Sequence, residues 1–389
     1  MTYVKQLMLI GSGSNSIETS EAHTINLEFD LDAIAPVCSF NLPYMLKDQQ
    51  STSGSEVQIA ELKKYDTVKL YYGEFDNDPG EVSIADLSLI FDGFITSINL
   101  SKSKDRFDYK INALGTAGLT YNRNTFYEVT GDSTIKSFID RTLEAANLTK
   151  YITVNYVDVS AGLLPIFVEG GKNVKEVFDD LKSKYAIIIT QTGDGTLLVM
   201  KPSFLNKDQG TTGFLAWDFD INKGNVFEID YGDITSNVNA VVVVGMGDVV
   251  GVAVDVIGVQ NNSGQVNYQS FERYDLFDTE SCEGVAQEKL LELQRNYTLT
   301  FKTLFNTSFQ VGQRFTMIDN DKYDGSQVFM IKKYSVTIDK QDVSCVISGF
   351  TYSLTVLPEN LVISNTGVAD VDVIQLPNKG QNVLWGSLT

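Results

Sequence analysis

The sequence predicts an α+β fold, predominantly β, in which two antiparallel β-barrels flank a small α/β domain. Three observations carry this expectation. Apolar and polar residues alternate with period two through much of the chain, the signature of half-buried strands. Three stretches instead space their apolar residues as a helix does, each behind a start signal. Finally, "LIFDGFITSINLSKSKDRFDYKINALG" (Leu89–Gly115) is echoed by "VFMIKKYSVTIDKQDVSCVISGF" (Val328–Phe350). At 389 residues the chain exceeds one average domain of roughly 150, so two or three are expected. The divisions read from the pattern are a first barrel at 1–120, the α/β domain at 121–207, a second barrel with one helix at 208–356, and an extended arm at 357–389.

In chain order, Ile25, Leu27, Phe29 and Leu31 alternate with Asn26, Glu28, Asp30 and Asp32, a strand with one dry face. Polar loops start at Lys47 and Glu74, the second separating Val68–Tyr72 from Leu87–Ile98. A helix capped at Asp132 or Ser133 is expected to bury Ile135, Phe138, Ile139, Thr142 and Leu143. A second opens on the capping-box pair Asn173 and Glu176 and buries Val174, Val177, Phe178, Leu181 and Tyr185. "YAIIITQTGDGTLLVMK" reads as a hairpin turning at Gly193-Asp194-Gly195. The apolar run Asn239–Val259 is interrupted by Asp248, Asp255 and glycines, which marks buried strands joined by a tight turn and not a membrane span. A third helix carries Cys282, Val285, Ala286, Leu290 and Leu293 inward. The segment from Leu357 to Thr389 lacks periodicity.

Each echoed hairpin has one apolar and one polar face. In the first, Ser97, Asn99, Asp108, Lys110 and Asn112 are polar; in the second, Lys333, Ser335, Thr337, Ser344 and Ser348. Hairpins in a β-rich chain can resemble each other by chance. Otherwise the chain holds two copies of one barrel-like unit.

Composition excludes several functions. Hydrophobic residues make up 43% and aromatics 11% of the chain, so most of it folds. Fifty Asp and Glu against thirty Lys and Arg give a net charge of -20 with no basic block. Gripping nucleic acid requires clustered cations that displace counterions; this charge serves solubility, or a surface past which nucleic acid slides without sticking. The three cysteines, Cys38, Cys282 and Cys345, are far apart and lack C-x-x-C spacing, so no disulfide framework or zinc knuckle is expected. The short apolar run near the N-terminus falls below a signal-peptide core. His23 is the only histidine, which removes His-based triads and zinc sites. The glycines in "IGSGSNS" and "VGMGDVVG" do not open onto a helix, as a dinucleotide loop must. "DNDKYDG" (Asp319–Gly325) departs from calcium-loop spacing, with Met330 where the bidentate Glu belongs. No catalytic, cofactor-binding or metal-binding residue is therefore expected, and no pair of acids is singled out for glycoside cleavage.

The order of "LKKYDTVKLYYGE", "LIFDGFITSI", "STIKSFIDRTLEAANL", "NVKEVFDDLKSKY", "SNVNAVVVVGMG" and "AQEKLLELQ" resembles the baseplate or tail hub proteins of bacteriophages. These are the late control protein D family, related to the hub half of the type VI secretion spike. The resemblance spans Lys5 to Leu354. It implies tail-tube-like barrels, two per chain, so that a homotrimer presents six. A sixfold tail tube or distal tube protein would sit above, a threefold spike below, and other baseplate proteins around. The implied location is the virion tail, assembled in the host cytoplasm. The ten polar hairpin residues would line a channel that DNA crosses without specific binding, with no cofactor, enzymatic role or membrane insertion. The sequence shows no appended lysozyme or peptidase domain and no long spike β-helix, so wall-degrading activity is expected of a partner, and the resemblance does not extend to the arm at 357–389. The alternatives are a carbohydrate- or receptor-binding β-domain protein of a tail tip, which requires exposed loop aromatics, and a hydrolase acting through acidic residues.

Overall fold

A computed structural model describes residues 3–11, 16–43, 50–51, 62–80, 82–102, 107–125, 132–157, 159, 164–165, 171–185, 187–201, 217–233, 238–294, 297–321, 326–340, 342–351, 361–363, 373–375 and 382–384. Strands predominate among them and most pairings are antiparallel. The fold is α+β and mainly β.

The first strands are β1 (Tyr3–Ile10), β2 (Ile17–Thr19), β3 (His23–Asp30), β4 (Val37–Pro43), β5 (Gln50–Ser51), β6 (Thr67–Phe75), β7 (Ser88–Lys102) and β8 (Phe107–Gly115). Successive side chains on a strand point to opposite faces, and β3 accordingly buries Ile25, Leu27 and Phe29 while exposing Asn26 and Glu28. The hydrogen-bonded order is β3-β4-β8-β7-β6-β1. Most of the polar loop predicted from Lys47 lies outside the described residues.

The α/β part comprises β9 (Asp132–Ser133), α1 (Ile135–Ala145), β10 (Val154–Val157), β11 (Leu164–Pro165), α2 (Val174–Tyr185), β12 (Ile188–Gln191) and β13 (Leu197–Met200). Helix α1 buries the five residues its periodicity predicts. Its cap, however, is Thr134, whose Oγ1 accepts from the Ser137 amide at 3.1 Å. Asp132 and Ser133 are drawn instead into pairing with Pro165 and Leu164. In α2 the capping box forms: Asn173 Oδ1 accepts from the Glu176 amide at 2.8 Å, and Glu176 Oε2 from the Asn173 amide at 3.0 Å.

Downstream are β14 (Trp217–Asp220), β15 (Glu228–Asp233), β16 (Ala240–Gly245), β17 (Val250–Asp255), α3 (Val256–Asn261), β18 (Tyr268–Arg273), α4 (Thr279–Leu293), β19 (Tyr297–Thr303), β20 (Arg314–Ile318), β21 (Ser326–Asp339) and β22 (Asp342–Thr351). Then follow β23 (Leu361–Ile363), which pairs with β17, and the pair β24 (Val373–Gln375) and β25 (Asn382–Leu384). The apolar run becomes the buried hairpin β16–β17, and its last residues wind into α3. Asp278 caps α4, accepting from the Ser281 amide at 2.7 Å. Burial on α4 extends past the predicted stripe to Glu283, Glu288 and Lys289, while Leu293 is only half-buried. At Gly251 the helix lies so close to β17 that a Cβ would come within 2.2 Å of the Cys282 carbonyl carbon and the Glu283 nitrogen.

Two five-stranded units share one strand order, β3-β4-β8-β7-β6 and β15-β19-β22-β21-β20. The echoed hairpins agree residue by residue. Ile95 faces Ala113 and Ser97 faces Asn112, with Thr96 bulged between; Ile331 faces Gly349 and Lys333 faces Ser348, with Lys332 bulged between. One constant displacement in residue number converts the first set into the second. The approach to each unit is also repeated. Tyr65 N donates to Ile95 O at 2.9 Å and Gly312 N to Ile331 O at 2.8 Å, from residues with φ of 74° and 83°. That left-handed backbone suits Gly312 and strains a side-chain-bearing residue by about 1–2 kcal/mol; the Tyr65 ring packs on Phe94, 5.7 Å between centroids.

The units join where the outer half of β21 pairs with β3, from Lys333↔Asp30 to Ile338↔Ile25. This makes one 14-stranded sheet. Its apolar side includes Phe219, Phe301, Phe315 and Phe329, each contributing about 1.5–3 kcal/mol by burial. A second core unites α1, α2, β12 and β13 with β16, β17 and α4. There Arg273 spans to Asp275, 2.6 Å from Nη2 to Oδ2, lies over the Tyr185 ring at 4.8 Å and donates to Lys184 O at the end of α2.

Two outcomes test this packing. Gly251→Ala should lose about 1–3 kcal/mol of unfolding free energy in denaturant titration, because the new methyl must push helix from strand. Burial raises the Asp275 pKa, but the Arg273 guanidinium more than reverses this and holds it below the usual carboxylate range. A folded-state value below the unfolded one stabilises fully above about pH 5 and is lost as pH falls through the folded value, below about 4. Melting temperature measured against pH should therefore fall less steeply in acid for Asp275→Asn than for the parent.

Candidate functional site: a polar face shared by two units

The strands β15-β19-β22-β21-β3-β4-β8-β7 run consecutively through the sheet. Since residues paired across strands share a face, the registers propagate one polar face through all of them. Ser97 is opposite Asn112, Asn99 opposite Lys110 and Ser101 opposite Asp108 on the first hairpin. Asn112 continues to Ser39 and Lys110 to Asn41 on β4, and Ser39 to Asn26 on β3. Across the junction Asn26 meets Thr337, Glu28 meets Ser335 and Asp30 meets Lys333. The second hairpin then sets Thr337 against Ser344 and Lys333 against Ser348, and Ser348 leads to Thr300 and Asp230.

The structure thus brings all ten sequence-predicted residues, Ser97, Asn99, Asp108, Lys110, Asn112, Lys333, Ser335, Thr337, Ser344 and Ser348, to the same side of one sheet. None of the ten is fully buried. Sequence reading missed what completes the face: Asn26, Glu28, Ser39 and Asn41 between the hairpins, and Glu228, Asp230, Thr300 and Lys302 beyond the second. The alternation of β3 displays Asn26 and Glu28 as polar, but no local signal tells that β3 lies between the hairpins. Two valines interrupt the face, Val37 (47% exposed) and Val346 (36% exposed).

Short side chains tie the strands together. Asn112 Nδ2 donates to Ser97 Oγ at 2.8 Å, Thr337 Oγ1 donates to Asn26 Oδ1 at 3.0 Å, and the Thr300 and Ser348 hydroxyls are 3.0 Å apart. Lys333 Nζ is 2.7 Å from Glu28 Oε1, and His23 Nε2 is 3.7 Å from Asp108 Oδ1. Lys110, Lys302 and Lys333 are outnumbered by Glu28, Asp30, Asp108, Glu228 and Asp230, so the face is acidic with its cations dispersed among the carboxylates.

Chemistry elsewhere is muted by burial. Cys38, Cys282 and Cys345 are buried; desolvation pushes the Cys345 thiol up to about 12, Cys282 to about 11 and Cys38 higher still, which holds them as unreactive thiols. Among the described residues no cluster of His, Cys, Asp and Glu is arranged to hold a metal ion, and no helix is long and apolar enough to cross a membrane. The calcium-like stretch from Asp319 follows β20 and leads to β21; its residues 322–325 lie outside the described set.

No protein-family model and no curated protein matches the sequence. Solved structures do match. A tail protein from Neisseria meningitidis superposes with a TM-score of 0.65 at 14% identity, over 90% of this chain and 97% of that one. The 43 kDa tail protein of prophage MuSo2 from Shewanella oneidensis gives 0.62 at 13% identity, over 92% of this chain and 100% of that one. An Escherichia coli component of the type VI secretion system, itself described as similar to T4 bacteriophage tail proteins, gives 0.53 at 11% identity, over 90% of this chain and 77% of that one. The fold is that of phage tail proteins and their relatives in the secretion spike.

The face and its underside should respond differently to substitution. Lys333→Gln breaks a half-exposed ion pair and should shift unfolding free energy by less than about 1 kcal/mol. Leu27→Ala, beneath it and 1% exposed, should cost about 2–5 kcal/mol in the same denaturant titration.

Proposed function

We propose that the chain is the structural hub of a phage-type tail tip or baseplate. Three copies form a ring of six equivalent five-stranded units, a pseudo-sixfold collar of tube-like barrels. The collar matches a sixfold tail tube or distal tube protein on one side and a threefold spike on the other, with further baseplate proteins around it in the virion tail. The observation that carries this reading is the register-level repetition of one unit within one chain, with the polar sides of both copies merged into one continuous face. A closed symmetric ring with two units per subunit is the simplest assembly that converts three into six. The shared face lines the channel. Its ten predicted residues and their neighbours act by placement, with no catalytic group or cofactor in the role. Net negative charge with scattered lysines offers DNA no counterion-releasing stripe, so the polymer passes without being held.

Light scattering on the purified chain should give three times the 43.0 kDa chain mass, and electron micrographs should show an annulus; a chain of single-copy mass at every concentration overturns the reading. Duplex DNA at low salt should not be retained by the parent. A variant carrying Glu28→Lys, Asp30→Lys, Glu228→Lys and Asp230→Lys should bind it, with affinity falling steeply as salt rises.

One observation favours a second reading, in which the protein binds a receptor or carbohydrate at the tail tip. Met246, Tyr274 and Phe277 are 51%, 54% and 59% exposed and gather where Met246 N donates to Leu276 O at 2.7 Å. Tyr274→Ala with Phe277→Ala should abolish attachment to cells or glycans if this reading holds, and leave assembly unchanged.

A further inference from the structure

A cleft of about 320 Å³ opens on the apolar side of the sheet, where three parts of the molecule meet. Strands β3, β7 and β21 supply one wall, the turn of the β12–β13 hairpin the second, and the loop at 304–313, between β19 and β20, the third. Small-ligand sites favour such meeting points, and this volume lies at the lower end of their range of about 300–1,000 Å³. The wall formed by the sheet is aromatic. Phe29 and Tyr334 bring to it the stack that joins the two units, and Phe309 meets Tyr334 edge-on with centroids 6.5 Å apart.

The two polar walls are held in place by the protein itself. Gln313, 3% exposed, pins the loop from inside. Its Oε1 accepts from the Gln310 backbone N–H at 3.0 Å and from Trp217 Nε1 at 2.9 Å, and its Nε2 donates to Ser308 O at 3.1 Å. Across the cleft, Asp194 Oδ1 is taken up by its own turn, accepting from Thr192 Oγ1 at 2.5 Å and from the Thr196 backbone N–H at 3.1 Å. The turn lies hard against β7 at Gly193, where a Cβ would come within 2.8 Å of Ile90 O. These bonds leave particular groups over. Among the described residues nothing bonds Asp194 Oδ2, the Thr307 and Ser308 hydroxyls or the Gln310 side-chain amide, all on residues that line the cleft.

Charge narrows what these groups can hold. No Lys, Arg or His lines the cleft, and its one formal charge is the Asp194 carboxylate, so phosphates and carboxylates are repelled. Hydroxyls, an amide and a carboxylate beside aromatic carbon suit a neutral ligand that has several hydroxyl donors and an apolar ring face. We infer that the cleft binds one neutral pyranose unit, its apolar face toward Phe309 and Tyr334 and its hydroxyls bonded to Asp194, Thr307, Ser308 and Gln310. The carboxylate, being charged, makes the strongest of these bonds. The cleft shares no residue with the exposed group of Met246, Tyr274 and Phe277, and the inference stands whether or not three copies form a hub. A free sugar and the end unit of a glycan offer the same chemistry.

The test is saturation-transfer NMR on the full chain with the methyl pyranosides of glucose, galactose, mannose, N-acetylglucosamine and rhamnose, followed by titration of those that respond. At least one should receive transfer to its ring protons. Asp194→Asn keeps an oxygen for Thr192 and Thr196 but removes the charge, and should weaken that sugar about tenfold or more. Gln310→Ala should weaken it several-fold; it leaves the backbone bonds to Gln313 in place and carries the test if Asp194→Asn disturbs the turn. Tyr274→Ala with Phe277→Ala should bind as the parent does, which separates the cleft from that surface. A trisaccharide ending in the responding unit distinguishes the sources: equal affinity supports a glycan end in the cleft, and exclusion supports the free sugar. No transfer to any of these sugars, affinity unchanged in both cleft variants, or transfer to methylammonium with none to the sugars overturns the inference.

Discussion

Everything on the polar face depends on one pairing, that of β21 with β3. Without it the chain holds two separate five-stranded units; with it the units become one sheet with a single wet side. The apolar underside holds this junction. Ile25 meets Ile338, Leu27 meets Val336, and Phe29 stacks on Tyr334 with centroids 4.7 Å apart and planes 13° apart. Each buried side chain contributes about 1.5–3 kcal/mol, while the half-exposed pair of Lys333 and Glu28 on the wet side contributes about 1 kcal/mol or less. The composition of the wet side is thus free to be set by what touches it.

The α/β part braces this junction from the side. Thr190 Oγ1 donates to Asp30 O at 3.1 Å, and Lys182 reaches Asp32 O just beyond the end of β3. Gln191, fully buried, donates to Asp92 O at 2.9 Å and accepts from Ala117 N at 2.6 Å. One short strand, β12, thereby holds both the start of the junction and the inner half of β7. The insertion is a clamp on the register of the sheet, which is why its helices must be well capped and its hairpin tightly turned.

Much of this was legible in the sequence wherever the signal was local. Period-two alternation located β3 and the faces of both hairpins, and helical periodicity located the buried stripes of α1 and α2. The Asn173–Glu176 box was readable because both partners lie within one turn. The cap of α1 was not, because the pairing of Asp132 and Ser133 with a distant dipeptide decided it. For the same reason the broad burial of α4 escaped: contact with β16 and β17 covers residues that its own stripe leaves outside. The ten face residues were readable as polar, but their joining into one surface depends on Asn26 meeting Thr337, two residues separated by 311 positions. Sequence alternation reports faces and is silent on neighbours.

The same separation governs how the chain reaches its native state. Strand β3 is made well before its partner β21, with Asn26 and Thr337 separated by 311 positions, so β3 must wait with one edge bare while the intervening chain is made. Closing so large a loop is slow because chain entropy is lost before the contacts form. During that wait the bare edge can capture an early strand of another nascent chain, the characteristic misassembly of repeated β units. The lysines and carboxylates scattered along β3 and β21 therefore have a second use: like-charged or mismatched encounters are repelled, and an orphaned strand stays soluble until its own partner arrives.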